Sequence, residues 1–188
     1  MKRFALLLLI LIAAAFAGCA SSPREPTMPQ PPLPEVDLDR FMGRWWVIAN
    51  IPYFGERGNV ASADTYSLRD DGRIDVVYSY RKRFDEPNER SLRAWARPLP
   101  GTGNAHWRQR FFGILSVQLH ILEVDPDYQW ALLGTPKRDL AWVFSREPLM
   151  DDAQYADLSE RLRRFGYEPA DIKRVPQVPE QQGLPGFQ

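Results

Sequence analysis

Cysteine is all but missing from this 188-residue chain, which has Cys19 and no other. A disulfide framework needs paired cysteines and is excluded, as is a zinc site built from several thiolates. Histidine is nearly as scarce, with only His106 and His120, and no His/Cys cluster has metal-ligand spacing. No Gly-x-Ser-x-Gly elbow occurs. Net charge is lacking too. The 24 basic residues balance 24 acidic ones, which does not suit the strongly basic face of a nucleic-acid-binding protein. There is no long internal repeat. Asp125 and Asp127 are the nearest thing to a carboxylate pair, and the proline between them makes a turn the simpler role. The chain is therefore read as a non-enzyme, with no catalytic residues, no metal and no cofactor.

What is present begins at the N-terminus. Met1-Lys2-Arg3 is positive, Phe4 to Phe16 is apolar throughout, and Ala17-Gly18 are small. That is the pattern of a secretory leader over residues 1–18, too short to span a hydrocarbon core, which needs ~20 apolar residues. Phe16-Ala17-Gly18-Cys19 resembles the lipobox of bacterial lipoproteins, with Phe in place of the usual Leu. The resemblance implies lipid attachment at Cys19, which also removes a lone thiol from an oxidising compartment. Ala20, where retention at the inner membrane would call for Asp, implies an outer-membrane address facing the periplasm of a Gram-negative cell. Loss of Lys2 and Arg3 with the leader leaves a small acidic excess.

Prolines 23, 26, 29, 31, 32 and 34 dominate the next stretch. Residues 19–35 are thus expected to be the anchor and an extended linker. Ser21 to Glu35 would reach on the order of 45 Å at ~3.1 Å per residue. A second Pro/Gln/Gly-rich segment, 177–188, is expected to be a disordered tail. Between them, residues 36–176 are enough for one domain with a real core.

In that domain short β-like runs alternate with turn signals: Trp45–Ile51, Ser62–Arg69, Arg73–Arg81, Ser91–Arg97, His106–Phe112, Val117–Val124, Gln129–Leu133 and Leu140–Arg146. Asp71-Gly72 between two of them is a two-residue hairpin signal. Eight regularly spaced runs predict an all-β protein, either an antiparallel up-and-down β-barrel or a sandwich. The period then changes. Asp151 or Asp152 can cap a helix, Tyr155, Leu158, Leu162 and Phe165 recur at helical spacing, and Gly166 is a stop. This C-terminal helix is expected to pack outside the sheet, and Ile172–Val175 to add a short last strand.

Gly43-Arg44-Trp45 at the first strand resembles the Gly-x-Trp signature of the lipocalins. Asp125-Pro126-Asp127-Tyr128 and Ser145-Arg146 resemble that family's middle and C-terminal motifs. Glu56-Arg57-Gly58 after Ile51-Pro52, and Arg138-Asp139 before Trp142–Arg146, resemble the bacterial outer-membrane lipocalin lipoproteins, relatives of apolipoprotein D and plant temperature-induced lipocalins. The resemblance implies an eight-stranded barrel and a role in membrane lipid storage, salvage or transport. In an up-and-down barrel Gly43, Trp45, Asp125, Tyr128 and Arg146 share one rim. They are expected to form a structural closed end, with Arg146 over the face of Trp45. The opposite rim carries Arg57, Arg81, Lys82, Arg83 and Arg138, which suit either an anionic head group or a solvated edge.

Strand alternation divides inside from outside. Val76, Tyr78 and Tyr80 share a face with Ile74. Leu92, Ala94 and Ala96 alternate with Arg93, Trp95 and Arg97 and must point inward. Trp107, Leu140, Trp142 and Phe144 complete an expected cavity, with His120 as either a lining or a wall residue, because the sixth run is apolar on both faces. Such an interior suits a fatty acid, lysophospholipid or similar amphiphile. The alternatives are a filled barrel in a structural or interaction lipoprotein, or an enzyme acting on a bound apolar substrate. Outward Trp95 and the double face of the sixth run hint at a homodimer.

Overall fold

The computed structural model describes residues 30–188; the leader, Cys19 and the first part of the linker lie outside the described residues. A short helix, α1 (Leu38–Phe41), precedes eight antiparallel strands: β1 (Gly43–Asn50), β2 (Val60–Leu68), β3 (Ile74–Arg81), β4 (Arg90–Pro98), β5 (His106–Phe111), β6 (Leu115–Val124), β7 (Trp130–Gly134) and β8 (Ala141–Ser145). Helix α2 (Asp152–Leu162) and a two-residue strand β9 (Lys173–Arg174) follow. Neighbours pair in chain order, and β1 pairs with both β2 and β8. The sheet is therefore closed, a barrel and not a sandwich, and its first and last strands have no free edge. The turn from β2 to β3 is one residue longer than Asp71-Gly72 suggests. Gly72 is at φ +74°, its N–H reaches Arg69 O, and Arg69 N reaches Arg73 O. That is a turn closed by a left-handed glycine, a common three-residue hairpin.

Apolar residues separate into two clusters. One fills the barrel; the other lies between its outer wall and α2. Leu158, Leu162 and Phe165 of the α2 region pack on Ile48, Leu122, Leu132 and Val143 from β1, β6, β7 and β8. This is why β6 is apolar on both faces. Leu119 and Ile121 face the barrel core, while Leu122 faces the helix. Leu122, the apolar side chain on the outer face of β6, is covered by the chain's own helix. Asp151 caps α2, accepting from Gln154 N at 2.9 Å, and Gly166 ends the following turn at φ +85°.

Where they are described, both proline-rich segments touch the barrel. Residues 30–35 run along the wall, where Gln30 meets His120 at 2.9 Å and Leu33 packs against both clusters. The tail expected to be disordered is folded back onto the barrel. Ladder pairing of β1 with β2 stops at Trp46 and Ala63. Beyond that point the C-terminal segment enters the seam. Val175 N bonds Ile48 O on one side, and Ala61 N bonds Pro176 O on the other, both at 2.8 Å. The Gln177 amide then donates to Val47 O and Ser62 O. Open backbone groups in the seam provide what the tail's composition lacks, a partner that repays ordering.

Tyr167 locks the helix region to the wall. Its hydroxyl accepts from Thr135 N and donates to Thr135 O, both at 3.1 Å. A methyl group on Gly134 would sit 2.1 Å from that hydroxyl oxygen. Gly134→Ala is therefore expected to lose roughly 1–3 kcal/mol of stability by overpacking. Urea denaturation should show the loss shrinking when Tyr167→Phe is added; an equal loss in both backgrounds would place the strain elsewhere.

Candidate functional site: the barrel interior and its mouth

Aromatic side chains seal one end. Phe41 of α1 enters the barrel from below and lies 5.0 Å from Trp45, 5.6 Å from Tyr66 and 5.4 Å from Trp107, ring centre to ring centre. Arg146 closes the end from outside, 3.7 Å above the Trp45 ring. Its guanidinium donates to the carbonyls of Arg40, Arg44 and Tyr128, and burial pulls its pKa down. Gly43 is at φ +96°, where an added side chain would press on Arg146. Asp125 accepts from Asp127 N and Gln129 N, which shapes the turn that holds Tyr128 at φ +58°. The Tyr128 hydroxyl accepts from Asp37 N. Gly43, Trp45, Asp125, Tyr128 and Arg146 thus do converge on one rim. Phe41 went unseen in the sequence because α1 is a single turn with no periodicity to read.

Above this plug, interior-facing side chains become progressively more accessible. Along β3 the exposure rises from Ile74 at 0% through Val76 at 2% to Tyr78 at 9%, and Tyr80 is half-buried. Along β4, Ala96 is sealed while Ala94 and Leu92 are half-buried. Leu140, Trp142 and Phe144 join the same interior cluster. Trp107 does too, but at the sealed end against Phe41 and Tyr66, so it belongs to the plug and not to the open part of the lumen. His120 is a correction. Its β5 partner is His106, whereas inward Trp107 pairs with inward Leu119. Alternation therefore turns both histidines outward, where their rings meet edge to face at 4.3 Å. Burial and the neighbouring His106 pull the His120 pKa down to about 4.

The mouth holds polar groups that the apolar pattern concealed. Glu56, buried, accepts from the Trp142 indole at 2.9 Å and the Tyr53 hydroxyl at 3.1 Å, and also from Asn50. Asp64 pairs across the ladder with inward Trp45 and Tyr78, so it too faces the lumen, but deeper than the mouth, half-buried just above the plug beside Tyr66. Burial pushes both carboxyls above the ordinary carboxylate range; the hydrogen bonds to Glu56 only partly offset this, and for Asp64 the charge of Glu56 adds to it. Asn59 donates to the Tyr78 hydroxyl at 2.9 Å and accepts from Lys82 Nζ at 2.5 Å. Alternation with Tyr66 was a usable signal for Asp64. Nothing local marked Asn59. Among the described residues, no group of three or more His, Cys, Asp or Glu side chains is placed to hold a metal ion.

These carboxyls predict a pH dependence. A carboxyl with a raised folded-state pKa holds its proton more tightly in the folded chain, so stability is greatest below the unfolded value near pH 4. It is lost as pH rises toward the folded value. Asp64→Asn should remove part of that slope and raise the melting temperature at pH 8 relative to the parent chain. Thermal scans from pH 4 to 9 check this; parallel curves for the two chains would refute it.

The chain's similarity to known proteins agrees with this geometry. Residues 36–177 match the model of the lipocalin-like domain. Temperature-induced lipocalin-1 of Arabidopsis thaliana is 32% identical over 154 residues, covering 76% of this chain and 80% of that protein. Outer membrane lipoprotein Blc of Citrobacter freundii is 30% identical over 158 residues, covering 84% and 88%. Among solved structures, insecticyanin from the tobacco hornworm superposes with a TM-score of 0.62 at 15% identity, covering 81% of this chain and 86% of that one.

Proposed function

The chain belongs to the lipocalin family, and we propose that its barrel binds a fatty acid, a lysophospholipid or a similar single-chain amphiphile without covalent chemistry, serving membrane lipid storage or transport. The observation that carries this reading is the gradient inside the barrel. Apolar side chains are sealed by Arg146 and the aromatic plug at one end and become accessible toward the other. An acyl chain entering from the mouth would lie along Trp142, Leu140, Leu92 and Ala94, with Val76 and Phe144 beneath it. The lumen wall is mainly apolar, and its polar groups, Glu56, Asn59 and Asp64, are few and placed, as a site for such ligands requires. Lys82, at the rim beside Asn59, is placed to meet an anionic head group.

The Blc relatives are outer membrane lipoproteins by name, which supports the same address for this chain through a lipid on Cys19. Mass spectrometry of the N-terminal peptide should show Cys19 acylated; an unmodified thiol there would end the anchoring reading. For the ligand, native mass spectrometry after gentle extraction should find a co-purifying lipid of one acyl chain. If fatty acids and lysolipids do not bind at high micromolar concentration, the barrel is a filled scaffold and the binding reading fails.

A further inference from the structure

The hairpin joining β5 to β6 carries three large apolar side chains into solvent. Phe112 is 75% exposed, Ile114 90% and Leu115 56%. The turn is closed by Ile114 N to Phe111 O, and its central residues, Phe112 and Gly113, sit at φ +51° and +73°. Two positive φ values in a tight hairpin favour Asn-Gly. A phenylalanine there is unfavourable for the backbone and for solubility alike, and a bulky side chain at positive φ is an outlier that asks for a function. Phe54, on the β1–β2 loop at the same rim, is 96% exposed.

Behind this tip lies a collar of arginines. The outward residues of β4 and β5 are Arg93, Trp95 and Arg97, and Arg108 and Arg110. Trp95 lies between the Arg110 and Arg73 guanidiniums, 5.6 and 5.4 Å from its ring centre. No carboxylate lies within ion-pair distance of Arg93, Arg108 or Arg110 among the described residues. Asp75, directly across the ladder from Trp95, is already engaged by Arg69 at 3.4 Å. Arg110 stands about 7 Å behind Phe112 along the strand and Arg108 about 13 Å. Apolar groups of peripheral proteins enter the acyl boundary by about 5–10 Å. A tip buried to that depth sets the guanidiniums at the phosphates and Trp95 at the interface, where such rings are favoured.

We propose that the β5–β6 hairpin is a membrane-docking tip that seats the barrel mouth on an anionic phospholipid surface, through Phe112, Ile114 and Leu115 in the acyl boundary and Arg93, Arg108 and Arg110 on the phosphates. A tight protruding apolar turn suits a deformable bilayer better than the flat face of an acidic protein. The chain outside the described residues also allows this pose, a clause that rests on the acylated Cys19 proposed above. Gln30 sits against His120, five residues along β6 from Leu115 and so about 17 Å from the rim. The eleven residues back to Cys19 span about 34 Å when extended. The anchor can therefore reach the same bilayer with the mouth turned toward it.

The test uses residues 30–188, which hold every strand of the closed sheet, both apolar clusters and α2, so that no acyl anchor contributes. Co-sedimentation is measured with vesicles of phosphatidylethanolamine and phosphatidylglycerol, and with vesicles of phosphatidylcholine alone. Binding should require the anionic lipid and weaken with salt. The triple variant Arg93→Gln, Arg108→Gln, Arg110→Gln, and separately Phe112→Ser, Ile114→Ser, Leu115→Ser, should each bind about 30-fold more weakly or worse. Because these positions are solvent-facing, their melting temperatures should match the parent. A control with the same charge loss on the helix side, Arg163→Gln, Arg164→Gln, Lys173→Gln, should keep most of the affinity. The proposal is overturned if the parent ignores anionic vesicles, if the control loses as much as the arginine variant, or if the hairpin variants break a dimer and leave vesicle binding unchanged. Each outcome is separable from the ligand question, which native mass spectrometry answers without vesicles.

Discussion

Trp45→Ala is expected to cost about 3–5 kcal/mol of folding stability, the range for removing a large buried aromatic. Against a typical total of roughly 5–15 kcal/mol, that would leave the domain marginal. Trp45 is fully buried, and three losses coincide when its ring goes. Phe41 and Phe144 lose a neighbour at 5.0 and 6.5 Å. The Phe41 carbonyl loses the indole donor at 2.8 Å. Arg146 loses the aromatic face that partly repays its desolvation. Trp45→Phe keeps a ring and should recover about half of the loss. Urea denaturation checks both variants. A cost under about 1 kcal/mol for alanine would mean that Phe41 and Trp107 seal the end unaided.

Ala94→Trp should weaken fatty-acid binding by about 100-fold or more with little change in melting temperature. Ala94 faces the lumen between Val76 on β3 and Phe111 on β5, at the level where the interior becomes accessible. An indole there takes the space proposed for the acyl chain without displacing packed atoms. Ala96, one step deeper on the same face, is sealed at 0% exposure. The same substitution at Ala96 should instead cost about 1–3 kcal/mol or more of stability by overpacking. Fluorescent fatty-acid titration alongside thermal unfolding separates the two effects. Unchanged affinity in the Ala94 variant would show that ligand lies elsewhere.

Local alternation explains which parts of this molecule were readable. On β3 and β4 each residue announces its side, because arginines or an aspartate alternate with apolar residues, and Val76, Tyr78, Ala94 and Ala96 do face inward. On β6 both faces are apolar, so alternation has nothing to contrast. His120 could be assigned only through its partner His106. The tail shows the same limit from the other side. Its proline, glutamine and glycine content argues for disorder until the seam between β1 and β2 offers Val47, Ile48, Ala61 and Ser62 backbone groups to pair with.

The amino-acid sequence by itself determined the eight strands and the amphipathic helix, while barrel closure, and with it the rim where Gly43, Trp45, Asp125, Tyr128 and Arg146 meet, needed the pairing of β1 with β8. The strands and the helix depend on periods of two and 3.6 residues and on turn chemistry, which neighbours along the chain decide. Only the tertiary structure decided what covers Leu122 of β6, where His120 points, that Phe41 plugs the barrel, that Glu56 is buried, and that Asp64 is half-buried in the lumen. Each of these depends on a partner far away in the chain. Burial, unlike strand pattern, is set by whatever the closed barrel, the helix and the returning tail leave exposed.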